Sequence, residues 1–414
     1  MVNIAVIDDG VNEAVYPVGE LAYSIEVTPE LKVENRGTHN IFEPSHGTTC
    51  AAIIKKYYAD GVFSSVKVLN DHSGKGMAAQ LVQGIRWCLE KEVQVISLSL
   101  GTVDYRDFGE LEQVVNTAFE KGIILVAACN NKDIYTCPAS LAKVIGVKSS
   151  KSVRLKEGEY LYHRDPLDGI EVTGCCEHKL TAMTGEETIT PLCNSFAAPM
   201  ITAEVCRIME NYPGIPLEKL KQELCKSAVN HAGDTANMGR DKGKSLLKRG
   251  IDVPLILVYG YEGGRMQELL EAFQQSFREE GYYAVGVCGQ EGAALRGLHS
   301  MAVHNDERPE SLKNNLERIY KVYDCDLLLL GLEISEGNTD YVRQVERILK
   351  PDISIFATNK YEQEIEGIVS QRSKKETFIM TLPKYINSFR STGFETFEYK
   401  ELTVLYKRIL TLLR

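Results

Sequence analysis

Three short segments carry side chains from which an acyl-transfer site can be built. Ala5-Val6-Ile7-Asp8-Asp9-Gly10 closes a short apolar run with a carboxylate. Ser45-His46-Gly47-Thr48-Thr49-Cys50-Ala51-Ala52 sets a histidine ahead of small residues at the start of a helical pattern. Cys193-Asn194-Ser195-Phe196-Ala197-Ala198-Pro199-Met200 places a serine where the apolar stretch 201–209 begins. A serine hydroxyl is a weak nucleophile until a base takes its proton. Neutral histidine titrates near working pH, so it can take that proton and return it to a leaving amine. A carboxylate holds the imidazole in the required tautomer and stabilises its charged form. A helix start favours developing negative charge through its free N–H groups and dipole. A fourth segment, Leu125-Val126-Ala127-Ala128-Cys129-Asn130-Asn131, ends a buried run in asparagine. An amide there can donate to the oxyanion of a tetrahedral intermediate, a contact worth about 10²–10³ in turnover.

Each residue alone has a plainer use. Asp8 alone reads as a strand-end carboxylate satisfied by backbone amides, His46 as structural, and Ser195 as a helix N-cap. Asn130, next to Asn131, also fits a turn, and Asp9 is expected as a solvated side chain. The ordered combination argues for chemistry.

The elements that must position these groups alternate. Strand patterns fall at 3–8, 66–69, 93–100, 123–128 and 144–148. Between them, Met77, Leu81, Gly84, Ile85, Cys88 and Leu89 share one face of a helix over 77–90. A second helix, 111–121, is closed by Gly122. Strand and helix in repetition predict a doubly wound, mostly parallel sheet with right-handed crossovers. Open sheets of this kind bind ligands at the carboxyl ends of their strands, where Asp8 stands.

The order Asp8, His46, Asn130, Ser195 resembles that of the subtilases, the subtilisin-like serine proteases. The family's A-V-I-D-[ST]-G matches 5–10 except at Asp9, and H-G-T-x-[VC]-A matches 46–51. G-T-S-M-A-[SA]-P matches at Ser195, Ala197, Ala198 and Pro199. The resemblance covers about residues 1–230. It implies a subtilisin-like α/β fold with Asp8 orienting, His46 as general base and acid, and Ser195 as nucleophile. It further implies an oxyanion hole of Asn130 and the Ser195 N–H. Ser99, Leu100 and Gly101 would pair with the substrate as an extended strand, and Ala127, Ala128 and Cys129 would line the specificity pocket. Cys193 and Asn194 depart from the family's glycine and threonine, and Cys129 from its glycine. The two thiol side chains should narrow the pocket and favour a small residue just before the scissile bond.

Residues 233–252, with Gly233, Gly239, Gly243 and Gly250 among polar residues, read as a linker between a protease domain, 1–232, and an accessory α/β domain, 253–414. In the second domain strands are expected at 254–259, 283–287, 327–330, 353–357 and, last, 377–381. Helices are expected at 266–278, 311–322, 341–349 and 402–413. Gly260-Tyr261-Glu262-Gly263-Gly264-Arg265-Met266 stands where a phosphate-binding loop would, but Arg265 and Met266 replace the Lys and Ser/Thr such a loop needs. The domain thus resembles a degenerate P-loop-like fold suited to docking rather than nucleotide hydrolysis.

The 414 residues carry a net charge of −10, which argues against nucleic acid as a partner. There is no apolar run of the roughly 18 residues a membrane span needs. Eleven cysteines and no basic leader read as reduced thiols in a cytoplasmic protein. Cys175-Cys176-Glu177-His178 is too tightly spaced for a tetrahedral zinc site, so neither metal nor cofactor is expected. The reading is a serine endopeptidase that selectively processes a peptide or protein substrate, as in peptide natural-product maturation, with a maturation-system partner recruited through the C-terminal domain. The rival is a catalytically weak or inactive subtilase-fold scaffold.

Overall fold

The computed structural model describes residues 1–36, 44–70, 76–150, 153–164, 166, 168–230, 251–261, 265–289, 298–300, 309–361, 367 and 376–413. The chain divides into two compact units, Met1–Lys244 and Ser245–Arg414. Most of the segment expected as a linker, and 262–264 of the phosphate-loop-like stretch, lie outside the described residues.

The first unit is built on a nine-stranded sheet. Its strands are β1 (Asn3–Asp8), β2 (Tyr23–Val27), β3 (Val33–Asn35), β4 (Val62–Lys67), β5 (Val95–Leu98), β6 (Ile124–Ala128), β7 (Ile145–Ser149), β8 (Tyr160–Tyr162) and β9 (Val172–Gly174), in the order β3-β2-β4-β1-β5-β6-β7-β9-β8. Only the outer pairs, β2–β3 and β8–β9, are antiparallel. Strands covered on both faces are apolar throughout, and the five residues Ile4–Asp8 of β1 are all buried. Helices cover both faces. The helices α1 (His46–Tyr57) and α4 (Asn194–Asn211) pack against each other over Val6, Val126 and Val147, and α5 (Leu217–Ser227) joins them. The opposite face carries α2 (Ala78–Leu89) and α3 (Phe108–Glu120) over Ile7, Ile96 and Leu125. A ribbon of β10 (Lys179–Thr181) and β11 (Glu187–Ile189) precedes α4.

The second unit has a seven-stranded sheet in which every pairing is parallel. Its strands are β12 (Leu255–Tyr261), β13 (Ala284–Cys288), β14 (His299–Ser300), β15 (Leu327–Ile334), β16 (Ile353–Thr358), β17 (Thr377–Thr381) and β18 (Glu395–Glu398), ordered β14-β13-β15-β12-β16-β17-β18. The helices are α6 (Met266–Glu279), α7 (Pro309–Tyr323), α8 (Thr339–Leu349), the short α9 (Ile386–Arg390) and α10 (Leu402–Leu413). The sequence expectation that 377–381 is the last strand is corrected: β18 follows it. Glu395 and Glu398 interrupt the apolar run there, because an edge strand needs only one neighbour.

Candidate active site

The carboxyl end of β1 delivers Asp8, which is fully buried. The chain then turns, and α1 sits directly on this strand end. Gly47 permits the approach: a Cβ there would lie 2.8 Å from Gly10 O and 2.9 Å from Asp8 Cβ. As a result His46, the first residue of α1, puts Nδ1 at 2.9 Å from both oxygens of Asp8. The imidazole N–H donates to the carboxylate, which fixes the tautomer and leaves Nε2 as the basic nitrogen. Burial disfavours a charged imidazole, but the adjacent Cys50 sulfur, 4.0 Å from Nδ1, and the Asp8 carboxylate both favour it, and the net effect raises His46 above the ordinary histidine value. Beneath it the Cys50 thiol is fully buried, and desolvation raises its pKa, so it stays protonated.

Asp9 is not the solvated side chain expected. Its Oδ2 accepts the His46 N–H at 3.0 Å and its Oδ1 the Gly47 N–H at 2.7 Å. Ser45 Oγ accepts the Thr48 N–H at 3.2 Å, so the first turn of α1 is capped by two side chains. Burial and the neighbouring Asp8 charge raise the Asp9 pKa.

Ser195 is the second residue of α4 and not its N-cap, which is Cys193. Pro199 inside the helix lacks an N–H, so the Ser195 carbonyl loses its intrahelical donor. Ser99 Oγ takes that place, donating to Ser195 O at 2.8 Å, and Ser195 Oγ donates back to Ser99 O at 3.3 Å. Cys50 Sγ lies 3.3 Å from Ser99 Oγ and 3.8 Å from Ser195 O. The Phe196 ring tilts against the His46 ring, with centroids 5.2 Å apart. No hydrogen bond joins His46 Nε2 to Ser195 Oγ among the described residues; such bonds commonly tighten only when substrate is bound.

Asn130 follows β6. Its Oδ1 accepts the Lys132 N–H at 2.8 Å, so it makes the turn the sequence also allowed. Its Nδ2 donors have no partner among the described residues. Asn194, a departure from the family pattern, ties this loop to the nucleophile helix. Its Nδ2 donates to Asn130 O at 2.9 Å and Asp133 Oδ1 at 3.2 Å, while its Oδ1 accepts from Ser149 N at 2.8 Å and Ser149 Oγ at 2.7 Å. Asn131 Oδ1 accepts the Asn194 N–H at 3.0 Å. Sequence reasoning treats Asn194 only as a replaced threonine; an amide one residue before the serine is the signal that it misses.

Leu100 and Gly101 continue from β5 beyond Ser99, and Thr102 forms an antiparallel bridge with Cys137. Ala127 and Ala128 are buried at the end of β6. A Cβ on Gly101 would meet Cys137 O at 2.7 Å and Thr136 Cγ2 at 2.9 Å. Cys129 is buried, with Sγ 3.4 Å from Ile134 O and 3.7 Å from Thr136 Oγ1. Thr136 thus stands between the Gly101 segment and the end of β6. Cys193 Sγ instead contacts Asn131 Oδ1 at 3.4 Å.

The ligand atoms of Asp8, His46 and Cys50 lie within 4.8 Å of one another, the one such grouping among the described residues. A cation there would engage the imidazole and carboxylate that already pair, removing the base. His178 of the Cys175-Cys176-Glu177-His178 segment has both ring nitrogens hydrogen-bonded to protein, so it is not a metal ligand.

A mostly parallel sheet ending in a buried carboxylate–imidazole pair, with a serine at a helix start, defines a subtilisin-like α/β architecture. The chain belongs to the subtilase family, whose family model matches residues 1–245. It is 27% identical over 259 residues to the minor extracellular protease Epr of Bacillus subtilis, covering 58% of this chain and 36% of that one. It is 26% identical over 244 residues to a thermostable alkaline protease of Halalkalibacterium halodurans, covering 55% of this chain and 64% of that one. The chain therefore spans less than two thirds of the length of either relative. Among solved structures, a cold-adapted subtilisin-like serine proteinase is similar at a TM-score of 0.42 and 20% identity, covering 53% of this chain and 80% of that one. No helix among the described residues is long and apolar enough to cross a membrane.

Proposed function

We propose that the protein is a serine endopeptidase in which Ser195 attacks the scissile carbonyl, His46 takes and returns the proton, and Asp8 holds the imidazole. The observation that carries this reading is the Asp8–His46 contact at 2.9 Å, made near the point where the Ser195 and Ser99 hydroxyls each donate to the other residue's carbonyl. The Asn130 amide and the Ser195 N–H form the oxyanion hole; the Lys132 N–H holds Asn130 Oδ1, and Asn130 Nδ2 has no partner among the described residues. Ser99, Leu100 and Gly101 bind the peptide main chain, and Ala127, Ala128 and Cys129 line the pocket for the residue before the cut.

Thr136 and the buried Cys129 support a narrow pocket. The substrate carries glycine, alanine or serine at that position, and the enzyme processes selected peptides rather than digesting in bulk. Cleavage of a peptide library tests this: small residues are expected there, and a preference for Phe or Leu would reject the pocket assignment. The domains are 1–232 and 253–414, joined by the linker 233–252. The second unit recruits a peptide or protein partner on a P-loop-like strand order, without hydrolysing nucleotide.

A further inference from the structure

One buried titratable side chain has no part in the proton transfers above. His178 is fully buried and immediately precedes β10. Its Nε2 lies 3.0 Å from the carbonyl oxygen of Phe196, the residue after Ser195. Its Nδ1 lies 2.9 Å from the hydroxyl of Tyr57, the last residue of α1. A carbonyl can only accept, so Nε2 carries the proton; Nδ1 is then the acceptor, and Tyr57 donates to it. Both nitrogens of a neutral imidazole are satisfied. Burial holds its pKa down at about 4, in keeping with that neutral form.

The partners matter more than the satisfaction. Tyr57 ends the helix that His46 begins. Phe196 lies in the first turn of the Ser195 helix, and its ring tilts against the His46 ring. The path His46–α1–Tyr57–His178–Phe196–His46 is therefore a closed circuit through both helices. On the α4 side, consecutive carbonyls are held from outside the helix, Ser195 O by Ser99 and Phe196 O by His178. The hydrogen bond to Ser195 O replaces one that Pro199 cannot make. The bond to Phe196 O replaces nothing that the helix lacks.

We infer that His178 is a positioning residue, a polar strut between the carboxyl end of the His46 helix and the amino end of the Ser195 helix that sets the distance between base and nucleophile. The inference rests on the protease reading above. Small misplacements of reacting groups are costly, about 100-fold for 1 Å, so a strut acts on rate rather than on binding.

The test is the kinetics of labelling by a fluorophosphonate, with maximal rate and half-saturation separated, on the full chain and its variants, each scaled to folded protein by circular dichroism. His178→Leu is expected to cut the maximal rate about 10- to 100-fold with half-saturation unchanged. His178→Gln, whose Nε2 can still donate to the Phe196 carbonyl, should recover most of it. Tyr57→Phe, which removes only the hydroxyl, should fall between, and carries the test with His178→Gln if His178→Leu does not fold. Wild-type rates in His178→Leu per folded molecule, or in Tyr57→Phe where His178→Leu does not fold, would overturn the strut. So would a His178→Gln rate no better than that of His178→Leu. A folded wild type that takes no label would overturn the protease reading itself, and the strut with it.

Discussion

Both units of the molecule rest on a parallel sheet whose first strand is central, β1 between β4 and β5, and β12 between β15 and β16. Both open the carboxyl ends of their strands to loops, the position where such sheets bind ligands. The ends differ. In the first unit β1 closes on buried Asp8, β5 leads to Ser99, β6 leads to Asn130, and α1 and α4 bring His46 and Ser195 to the same edge. In the second unit the described strands end at Tyr261, Cys288, Ser300, Ile334, Thr358, Thr381 and Glu398, and no carboxylate–imidazole pair is found there among the described residues. The shared topology provides an edge, while the residues at the strand ends, and the helices laid on them, decide whether that edge can do chemistry.

Substitutions at the first edge should break activity in graded steps. Asp8→Asn keeps the side-chain shape but presents the wrong partner to His46 Nδ1, and turnover should fall on the order of 10⁴-fold, read with any cleavable peptide that wild type accepts. Asn130→Ala should lower turnover about 10²–10³-fold with little change in KM. Because Cys50 and Asp8 together raise His46, the base is neutral only above the ordinary histidine range. The labelling rate of Ser195 should therefore keep rising with pH above 6.5, the ordinary histidine value, and a plateau below it would contradict the pairing. The sign for stability is the reverse: the raised pKa stabilises the fold below 6.5, and that gain is lost as pH rises through the folded value.

Smaller effects sharpen the contrast. Asp9→Ala strips two N–H groups of α1 of their acceptor and should cost about 1–2 kcal/mol by urea denaturation, with some loss of rate because His46 is one of the two residues held. Thr381→Val, at the second edge, removes a fully buried hydroxyl that has no hydrogen-bond partner among the described residues. It should leave labelling unchanged and raise stability by about 1 kcal/mol. A loss of labelling there would mean that the two edges are coupled.

Much of the architecture is legible in the sequence because a two-faced parallel strand is a short apolar run between breakers. Asn3–Asp8, Thr377–Thr381 and Leu402–Leu413 stand as read, and α2, α3 and α8 differ by a few residues at their ends. The β10–β11 ribbon leaves no such pattern because its strands are three residues long and largely exposed. Without it His178 stays hidden, since its partners, Tyr57 and Phe196, are 121 and 18 residues away in sequence. The β4 strand begins at Val62, earlier than expected, because Ser64 and Ser65 blur an apolar run although both are buried, Ser65 Oγ accepting the Val11 N–H at 2.9 Å. Asp9 misleads for a related reason: a carboxylate at a strand end looks solvated until the helix that it caps is laid over it.

The central claim is that Ser195 is an activated nucleophile. Incubating the folded full chain with a fluorophosphonate and locating the adduct by mass spectrometry tests it most directly. A single adduct is expected on Ser195, absent from Ser195→Ala and strongly slowed in Asp8→Asn. No adduct on folded wild type, or equal labelling of Ser195→Ala, would contradict it.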